Sequence, residues 1–259
     1  MKRQVYTNTI FNEDCLITMN RLPKCVDVVL TSPPYNTSRP GVKDKYNSRY
    51  DSFKDFKTYE DYIDWTVNIF ENYDHILKKN GCILYNMSYS SQKPDLMWLV
   101  IAEIIKRTEF TVADCITWKK SSAIPNNVSS NKLTRICEPV FVICRKSELQ
   151  TFFCNKKVVS KMKHNNQASY EVLYNFIEAR NNDGSNELNK ATFSTDLCRR
   201  LLRMYAKPGF LVYDSFLGTG TLAKACIEEK MKFIGSETSK EQCMYAQKII
   251  KMAIKSQVF

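Results

Sequence analysis

The chain has 259 residues, a length that fits one sizeable core or one domain with a large insertion. Hydrophobic residues make up 44% and charged residues 25% of it, which is ordinary for a folded globular protein and argues against disorder. The formal net charge of +11 is spread along the sequence and favours a polyanionic partner such as nucleic acid. A solvated, lysine-rich surface would give the same charge.

The 10 cysteines are scattered and form no CxxC pair, so their spacing predicts reduced, mostly buried thiols and neither a disulfide framework nor a metal site. No stretch approaches the roughly 20 apolar residues of a membrane span. No apolar run follows the opening Met-Lys-Arg-Gln, as it would in a secretory signal. These features predict a cytoplasmic, soluble protein without a membrane partner.

Short apolar runs alternate with amphipathic segments along most of the chain. Strands are predicted at residues 26–31, 82–86, 111–119, 139–144, 211–214 and 232–235, and helices at residues 59–77, 96–106, 194–206, 222–230 and 241–255. This alternation predicts an α/β fold with a doubly wound, mostly parallel sheet and helices on both faces.

The stretch from Arg145 to about residue 190 is polar, rich in Asn and Lys, and only weakly periodic. We interpret it as an insertion or recognition segment rather than core. The sequence thus predicts a single catalytic domain over residues 1–259, in which the region of about residues 119–190 contains an inserted target-recognition region.

The sharpest local motif is Thr31-Ser32-Pro33-Pro34-Tyr35-Asn36, directly after the strand predicted at residues 26–31. Ligands of a doubly wound fold bind beyond the carboxyl ends of its strands, so this turn would project into a crevice. The prolines fix the backbone, Ser32 and a carbonyl offer hydrogen-bond acceptors, and Tyr35 offers a flat ring. The motif fits a site that holds a planar base and polarises its amino group, although a proline-stiffened loop of no function would have the same residues.

A second motif, residues 214–221 (DSFLGTGT), also follows a predicted strand and opens a helix. Its two glycines let the backbone approach a ligand closely. It lacks the third glycine of a dinucleotide fingerprint and the Lys of a phosphate loop, so it does not indicate NAD or ATP. Gly235-Ser236-Glu237 ends the next strand about 20 residues later, where a carboxylate can accept hydrogen bonds from ribose hydroxyls.

Together, and in this order, these motifs resemble the β-class amino-group DNA methyltransferases. In that family the target-base motif, here residues 31–36, precedes the glycine motif, here residues 214–221. Phe11-Asn12-Glu13-Asp14-Cys15-Leu16 is similar to the family segment whose Asp contacts the cofactor adenine. The segment from Ser194 to Gly209 is similar to the family helix that precedes the glycine strand and helps to enclose the methionine end of the cofactor. The resemblance covers roughly residues 10–145 and 190–252, and leaves the recognised DNA sequence open.

The resemblance implies a restriction-modification methyltransferase that uses S-adenosyl-L-methionine to methylate a flipped-out base in double-stranded DNA. It implies a homodimer and a cognate restriction endonuclease as further partners, and no metal. The catalytic residues that it implies are Ser32, Pro33, Pro34 and Tyr35. The cofactor-binding residues that it implies are Asp14, Thr31, Ser194, Thr195, Asp214, Phe216, Gly218, Gly220, Thr221 and Glu237.

Two positions of the glycine motif depart from the family's usual residues. Ser215 and Leu217 stand where the family more often has Pro and a polar or small residue, which would soften the turn while keeping both glycines. After Glu237, Thr238-Ser239 replaces the more usual acidic or aromatic continuation.

Ser32 bears on which base is modified. In the family, Asp or Asn before Pro-Pro-Tyr tends to accompany adenine N6 and Ser tends to accompany cytosine N4, so Ser32 favours cytosine. Adenine stays open, because a carboxylate and a hydroxyl can both accept from an amino group. A non-enzymatic nucleic-acid binder would explain the charge but not the combined motifs. The basic residues expected at the DNA are Arg49, Lys119, Lys120, Lys132 and Arg135, for which a solvated loop is an equally good interpretation.

Overall fold

The structure, a computed structural model, describes residues 4–36, 57–123, 125–127, 129–161, 168–184 and 193–256. Its strands are β1 Thr9–Phe11, β2 Val26–Thr31, β3 Leu77–Asn86, β4 Phe110–Lys120, β5 Cys137–Arg145, β6 Val158–Lys161, β7 Ala168–Tyr170, β8 Phe176–Ala179, β9 Leu211–Asp214 and β10 Lys232–Ser236. Its helices are α1 Cys15–Arg21, α2 Tyr59–Ile76, α3 Leu96–Arg107, α4 Thr195–Tyr205, α5 Thr221–Glu228 and α6 Lys240–Ser256.

Eight of the described strands form one sheet in the order β1-β10-β9-β2-β3-β5-β4-β8. Its pairings are parallel except for those of β5 with β3 and β4, so β5 runs against its neighbours. The other strands therefore end at one side of the sheet, which we call the carboxyl edge. This edge carries Phe11, Thr31, Asn86, Asp214 and Ser236, the last residues of β1, β2, β3, β9 and β10.

Helices cover both faces of the sheet. Val28 and Leu30 of β2 belong to the buried cluster that includes α4, α5 and α6, whereas Val26 and Val29 belong to the cluster that includes α1, α2 and α3. A strand that is buried on both faces needs an almost continuous apolar sequence, as β2 has. The predicted α/β fold, with a mostly parallel sheet between two helical layers, is confirmed.

The strand order reverses between β2 and β9, which are parallel neighbours. From β2 the chain passes through α2 to β3 on one side, and from β9 it passes through α5 to β10 on the other. These two helices lie on opposite faces of the sheet. A crevice therefore opens at the carboxyl edge between β2 and β9, at the position where open α/β sheets bind their ligands.

Several elements differ from the prediction at their ends. β3 begins at Leu77, ahead of the predicted strand at residues 82–86, and it continues through Asn80, whose φ is 59°. The sequence pattern misses β1 and α1, because 3 and 7 residues are too few for a periodic pattern to emerge.

The polar stretch after Arg145 contributes to the core, contrary to the prediction. β8 pairs in parallel with β4 at the end of the sheet, and its Ile177 and Ala179 are buried in the cluster that includes α4. The strand has 4 residues in which exposed and buried positions alternate, a pattern too short to stand out in a polar sequence. β6 and β7 form a separate antiparallel pair.

The burial of the cysteines agrees with the prediction. All of them lie in described segments, all are free, and most are buried. Within the described ranges, every helix is too short or too polar to cross a bilayer.

Candidate active site

The glycine motif forms the turn between β9 and α5. Gly218 and Gly220 have φ values of 56° and 88°, and Gly220 is the residue that precedes α5. A β-carbon on Gly220 would lie 2.7 Å from the Cβ of Ala246 in α6, so the turn packs directly against that helix. At Gly220 the φ of 88° and this contact together require glycine. The turn consequently brings backbone atoms to the crevice.

Glu237 links the glycine turn to the end of β10. Its Oε2 accepts a hydrogen bond from the Gly218 amide at 2.9 Å, and its Oε1 accepts one from the Ser239 amide at 2.7 Å. The side chain of Asn12, just after β1, donates to the carbonyls of Glu237 and Thr238 at 2.9 and 3.0 Å. These bonds fix the orientation of the carboxylate beside the glycine backbone.

Asp14 lies on the same side of the crevice. It follows β1, which pairs with β10, so it is near Glu237 at the carboxyl edge. Its Oδ1 accepts a hydrogen bond from the Leu16 amide at 2.8 Å and caps α1. The residue predicted at the cofactor adenine is exposed to solvent and also begins a helix that the sequence pattern misses.

Asp214 and Thr31 join β9 to β2 at the base of the crevice. Thr31 Oγ1 donates to Asp214 Oδ1 at 2.7 Å, and the Phe216 amide donates to the same oxygen at 3.0 Å. Burial raises the pKa of the Asp214 carboxyl to about 7, because the charged form loses its hydration; the two hydrogen bonds oppose this shift, and the Glu237 carboxylate adds to it. Asp214 therefore changes its protonation near neutral pH.

The two unusual residues of the glycine motif are held by buried contacts. Ser215 Oγ lies 2.5 Å from the hydroxyl of Tyr73 in α2. The Leu217 side chain fills the space next to Gly235, where a β-carbon would lie 2.6 Å from Leu217 Cδ2. The turn is thus anchored to α2 and β10 rather than softened by these substitutions.

Phe216 and Thr221 flank the two glycines. The half-buried Phe216 ring packs against Trp65 of α2, with the ring centroids 5.6 Å apart. Thr221 is the first residue of α5 and is also half-buried. Sequence reasoning placed Trp65 on a helix but did not connect it with this turn.

Ser194 and Thr195 begin α4. This helix ends shortly before β9 starts, so its own start lies towards the carboxyl edge. Ser194 caps the helix by accepting a hydrogen bond from the Leu197 amide at 3.3 Å. Thr195 donates to the carboxylate of Asp183 through its amide, at 2.9 Å, and through its hydroxyl. Asp183 was missed because it belongs to the polar stretch and to no motif.

The target-base motif leaves β2 on the other side of the crevice as a fixed turn. The hydroxyl of Tyr62 donates to the carbonyl of Pro34 at 2.7 Å. Asn36 has a φ of 55° and is buried; its side chain donates to the carbonyl of Lys57 at 3.0 Å and accepts from the Lys57 amide at 2.8 Å. Pro33 and Pro34 are buried between these contacts.

Ser32, Tyr35 and Asn86 form a hydrogen-bonded cluster where β2 and β3 end. The Tyr35 hydroxyl donates to Asn86 Oδ1 at 2.9 Å, and Ser32 Oγ lies 2.8 Å from the Tyr35 oxygen. Asn86 Nδ2 donates to the carbonyl of Pro139 at 3.0 Å, which sets the orientation of the amide. Since Tyr35 gives its proton to Asn86, Ser32 gives its own proton to this cluster and keeps its oxygen lone pairs as acceptors.

Asn86 is the main residue of this site that sequence reasoning missed. It is buried and ends a strand, but it belongs to no recognisable motif. Its position at the end of the strand that follows the target motif was the available signal.

The predicted DNA-contacting residues differ in whether their charges are paired within the protein. Lys119 forms an ion pair with Glu178 at 3.0 Å, and Lys120 forms one with Glu138, so both charges are partly neutralised within the protein. Arg49 lies outside the described residues.

Two other basic residues lie on the loop between β4 and β5. Lys132 is exposed. Arg135 donates to the carbonyl of Tyr89 and lies over the Tyr89 ring, 5.1 Å from its centroid. Because β4 runs parallel to β3, this loop starts at the carboxyl edge.

A glycine turn and a strand-end carboxylate lie on one side of the switch point, which is the position between β2 and β9 where the strand order reverses, and a Ser-Pro-Pro-Tyr turn lies on the other. This is the arrangement that the resemblance to the amino-group methyltransferases predicts. The model of the DNA methylase family that comprises N6 and N4 methyltransferases matches residues 26–248. The chain therefore belongs to the N6/N4 DNA methylase family and is a DNA amino-methyltransferase. Its methyl donor is S-adenosyl-L-methionine.

Relatives of both base specificities are similar to this chain. Type II methyltransferase M.HinfI of Haemophilus influenzae is 24% identical over 94% of this chain and 68% of its own length. DNA adenine methyltransferase YhdJ of Escherichia coli (strain K12) is 22% identical over 90% of this chain and 79% of its own length. The solved structure of PvuII DNA methyltransferase, named as cytosine-N4-specific, has a TM-score of 0.70 at 17% identity and covers 97% of this chain and 94% of its own.

The M1.HpyAVI-SAM complex has a TM-score of 0.63 at 21% identity, with 93% of this chain and 98% of that chain covered. The residues of the carboxyl edge fit such a cofactor. The glycine turn presents backbone, Glu237 presents a carboxylate held in one orientation by backbone amides, and Asp14 presents a second, exposed carboxylate. Ribose hydroxyls and an adenine amino group are hydrogen-bond donors that match these acceptors.

Proposed function

We propose that this chain methylates the exocyclic N4 amino group of cytosine at a specific sequence in double-stranded DNA. The observation that carries this proposal is Ser32, which precedes the two prolines and is held as an acceptor by Tyr35 and Asn86. The fold similarity to the cytosine-N4-specific PvuII enzyme supports it.

The residues near β1, β9, β10 and α4 would hold the cofactor. Glu237 would accept from the ribose hydroxyls, Asp14 would face the adenine, and Ser194 and Thr195 would enclose the methionine end. The backbone at Gly218 would line the part of the cofactor site between these groups. The residues around it are Thr31, Asp214, Phe216, Gly220 and Thr221. When bound, the cofactor supplies a methyl group that its sulfonium already activates, so the protein mainly positions the acceptor.

The target base must leave the duplex to reach this crevice, which costs a few kcal/mol for unpairing and unstacking. Stacking on the ring of Tyr35 returns roughly 1–3 kcal/mol of that cost. The ring is suited to this role, because its hydroxyl is bonded to Asn86 and the turn that carries it is tied to Tyr62. A ring held in advance loses little freedom on binding the base.

The target amino group would donate to Ser32 Oγ and to the Pro33 carbonyl. The neighbouring Pro34 carbonyl accepts a hydrogen bond from the Tyr62 hydroxyl, so its role is to stabilise the turn. Two acceptors on the amino hydrogens draw the nitrogen towards tetrahedral geometry and make its lone pair available for direct displacement at the methyl carbon. The nitrogen then releases its surplus proton to solvent, and no side chain has to form a covalent intermediate.

Adenine N6 is the second candidate. It is favoured by the similarity to YhdJ, named a DNA adenine methyltransferase, over most of the chain. The same arrangement of Ser32, Tyr35 and Asn86 could position the adenine amino group, since a hydroxyl accepts a hydrogen bond equally from the amino group of either base.

Further parts of the proposal concern the whole protein. The region of about residues 119–190 would contain the target-recognition region, to which β6, β7 and the loop between β4 and β5 belong. Lys132 and Arg135 would contact DNA phosphates. A cytoplasmic location, a homodimer and a cognate restriction endonuclease complete the proposal. The type II methyltransferases among the relatives support the restriction endonuclease.

The test is to incubate the protein with isotopically labelled S-adenosyl-L-methionine and unmethylated bacterial DNA, digest the DNA to nucleosides and identify the methylated product by mass spectrometry. We expect N4-methylcytosine with the wild-type protein and with Tyr245→Ala, which changes an exposed tyrosine of α6. The product should be absent with Tyr35→Ala. N6-methyladenine would replace the first candidate by the second, and absence of any methylated nucleoside would overturn both.

A further inference from the structure

Leu133 projects from the loop between β4 and β5. Its side chain is 89% exposed, more than any other large apolar side chain in the described part of the chain. A single exposed leucine is common on protein surfaces and by itself indicates nothing. Leu133, however, is held in a defined position by hydrogen bonds of its neighbours, and Lys132 and Arg135 lie close to it in the sequence. The loop that carries it starts at the carboxyl edge.

The backbone around Leu133 is held by one residue. The Asn126 amide donates to Thr134 Oγ1 at 2.8 Å, and the Asn126 side chain donates to the carbonyl of Lys132 at 2.9 Å. The residues directly before and after Leu133 are therefore both fixed to Asn126. The loop presents the leucine outwards instead of folding it onto the core.

Arg135 attaches the same loop to the site. It is bonded to Tyr89, which lies three residues after Asn86, and Asn86 is bonded to Tyr35. Three residues of chain reach at most about 11 Å. Leu133, two residues before Arg135, therefore lies on a loop of the carboxyl edge that is tied to the chain just beyond Asn86.

We propose that Leu133 enters the DNA base stack when the target nucleotide rotates into the crevice, and fills the space that the nucleotide leaves. This inference rests on the proposed function. Apolar side chains can occupy separated base steps, and cations beside them can contact the phosphates. Lys132 and Arg135 flank Leu133 in this way. The contact exists only while the stack is open, so it stabilises the rotated-out state.

A leucine at this place has another use, which is contact with a thymine methyl group in the major groove. That contact would be present whether or not the target base is paired. The two roles are therefore separated by a substrate in which the target base is already unpaired.

The test measures single-turnover methylation on two oligonucleotide duplexes that carry the sequence methylated by the wild-type protein. One duplex is fully paired, and the other has an abasic position opposite the target base. We expect Leu133→Ala to be about tenfold slower than wild type on the paired duplex and within about twofold on the abasic one. Leu133→Met, which keeps the bulk, should stay within about twofold on both.

Ile254→Ala is the matched control. Ile254 is an exposed side chain of the same size near the end of α6, and because α6 follows β10 its end lies at the opposite edge of the sheet, so both rates should remain within about twofold of wild type. Thermal unfolding midpoints should match for all variants, since the side chains are exposed. Equal slowing of Leu133→Ala on both duplexes, or no slowing on the paired one, would overturn the inference. Absence of methylated DNA with the wild-type protein would instead overturn the proposed function, and this inference with it.

Discussion

At the scale of single residues, Asn86 decides which groups of the target motif donate and which accept. Its amide is oriented by Pro139 and receives the Tyr35 proton, which leaves Ser32 as an acceptor. Asn86 touches neither reacting atom in this account, so it is a positioning residue. Its effect should therefore appear in turnover and leave cofactor binding unchanged.

We predict that Asn86→Ala lowers kcat for DNA methylation about 10- to 100-fold, the range expected when a buried hydrogen-bonding partner is removed. The KM for S-adenosyl-L-methionine should stay within about twofold. Steady-state kinetics test this, with Asn68→Ala on the exposed side of α2 as the matched control. A rise in the cofactor KM without a fall in kcat would contradict the positioning role.

The buried carboxyl of Asp214 makes stability depend on pH. Its pKa in the folded protein is about 7, above the ordinary value of 3.8. Between these values the folded state binds more protons at this group than the unfolded state does, so the free energy of unfolding falls as pH rises through that window. The contribution is a few kcal/mol, because one pKa unit corresponds to about 1.4 kcal/mol.

We predict that Asp214→Asn, which cannot ionise, removes this contribution. Urea unfolding at pH 5 and pH 8 measures it: the wild-type protein should lose more stability on going to pH 8 than the variant does. An equal change in both proteins would show that Asp214 stays in one protonation state. The hydrogen bonds from Thr31 and Phe216 can still be accepted by the Asn side-chain oxygen, which makes the comparison a matched one.

At the scale of elements, the close packing of the glycine turn on α6 makes Gly220 irreplaceable. Gly209 has the same φ of 88° but has no atom within 4 Å of an added β-carbon, whereas at Gly220 the Cβ of Ala246 lies 2.7 Å away. Substituting Gly209 and Gly220 in turn separates the energetic cost of backbone strain from that of steric overlap. Strain alone costs roughly 1–2 kcal/mol, and overlap in a packed interior adds typically 1–3 kcal/mol.

We predict that Gly209→Ala destabilises the protein by roughly 1–2 kcal/mol and Gly220→Ala by clearly more, as measured by urea unfolding. Equal losses would show that α6 moves aside without cost. Gly220→Ala should also weaken cofactor binding, because a shift of α6 displaces the turn.

Elements with a long periodic pattern or a strong motif could be predicted from the sequence, and the others could not. The helix Tyr59–Ile76 and the strand Val26–Thr31 carry such patterns, and they were found with nearly correct bounds. β8 was missed because its buried positions alternate over 4 residues of a polar stretch. Asp183 and Asn86 were missed because their roles come from contacts with residues distant in sequence.

At the scale of the whole molecule, the strand order brings the residues of the site together. Thr31 and Asp214 are far apart in sequence, but the parallel pairing of β2 with β9 places them in hydrogen-bond contact. Motif spacing predicted that each motif follows a strand, but the neighbours of each strand depend on long-range packing that no local pattern encodes. The switch point between β2 and β9 therefore had to come from the structure.

The central claim is that this switch point separates two tasks, with cofactor binding on the side of β9 and β10 and target binding on the side of β2 and β3. Calorimetric titration of S-adenosyl-L-methionine into Glu237→Gln and Tyr35→Ala tests it most directly. We predict that Glu237→Gln binds the cofactor about tenfold more weakly, as expected for loss of a charged acceptor, and that Tyr35→Ala binds it like the wild-type protein. Wild-type affinity in Glu237→Gln, or an equal loss in both variants, would contradict the division.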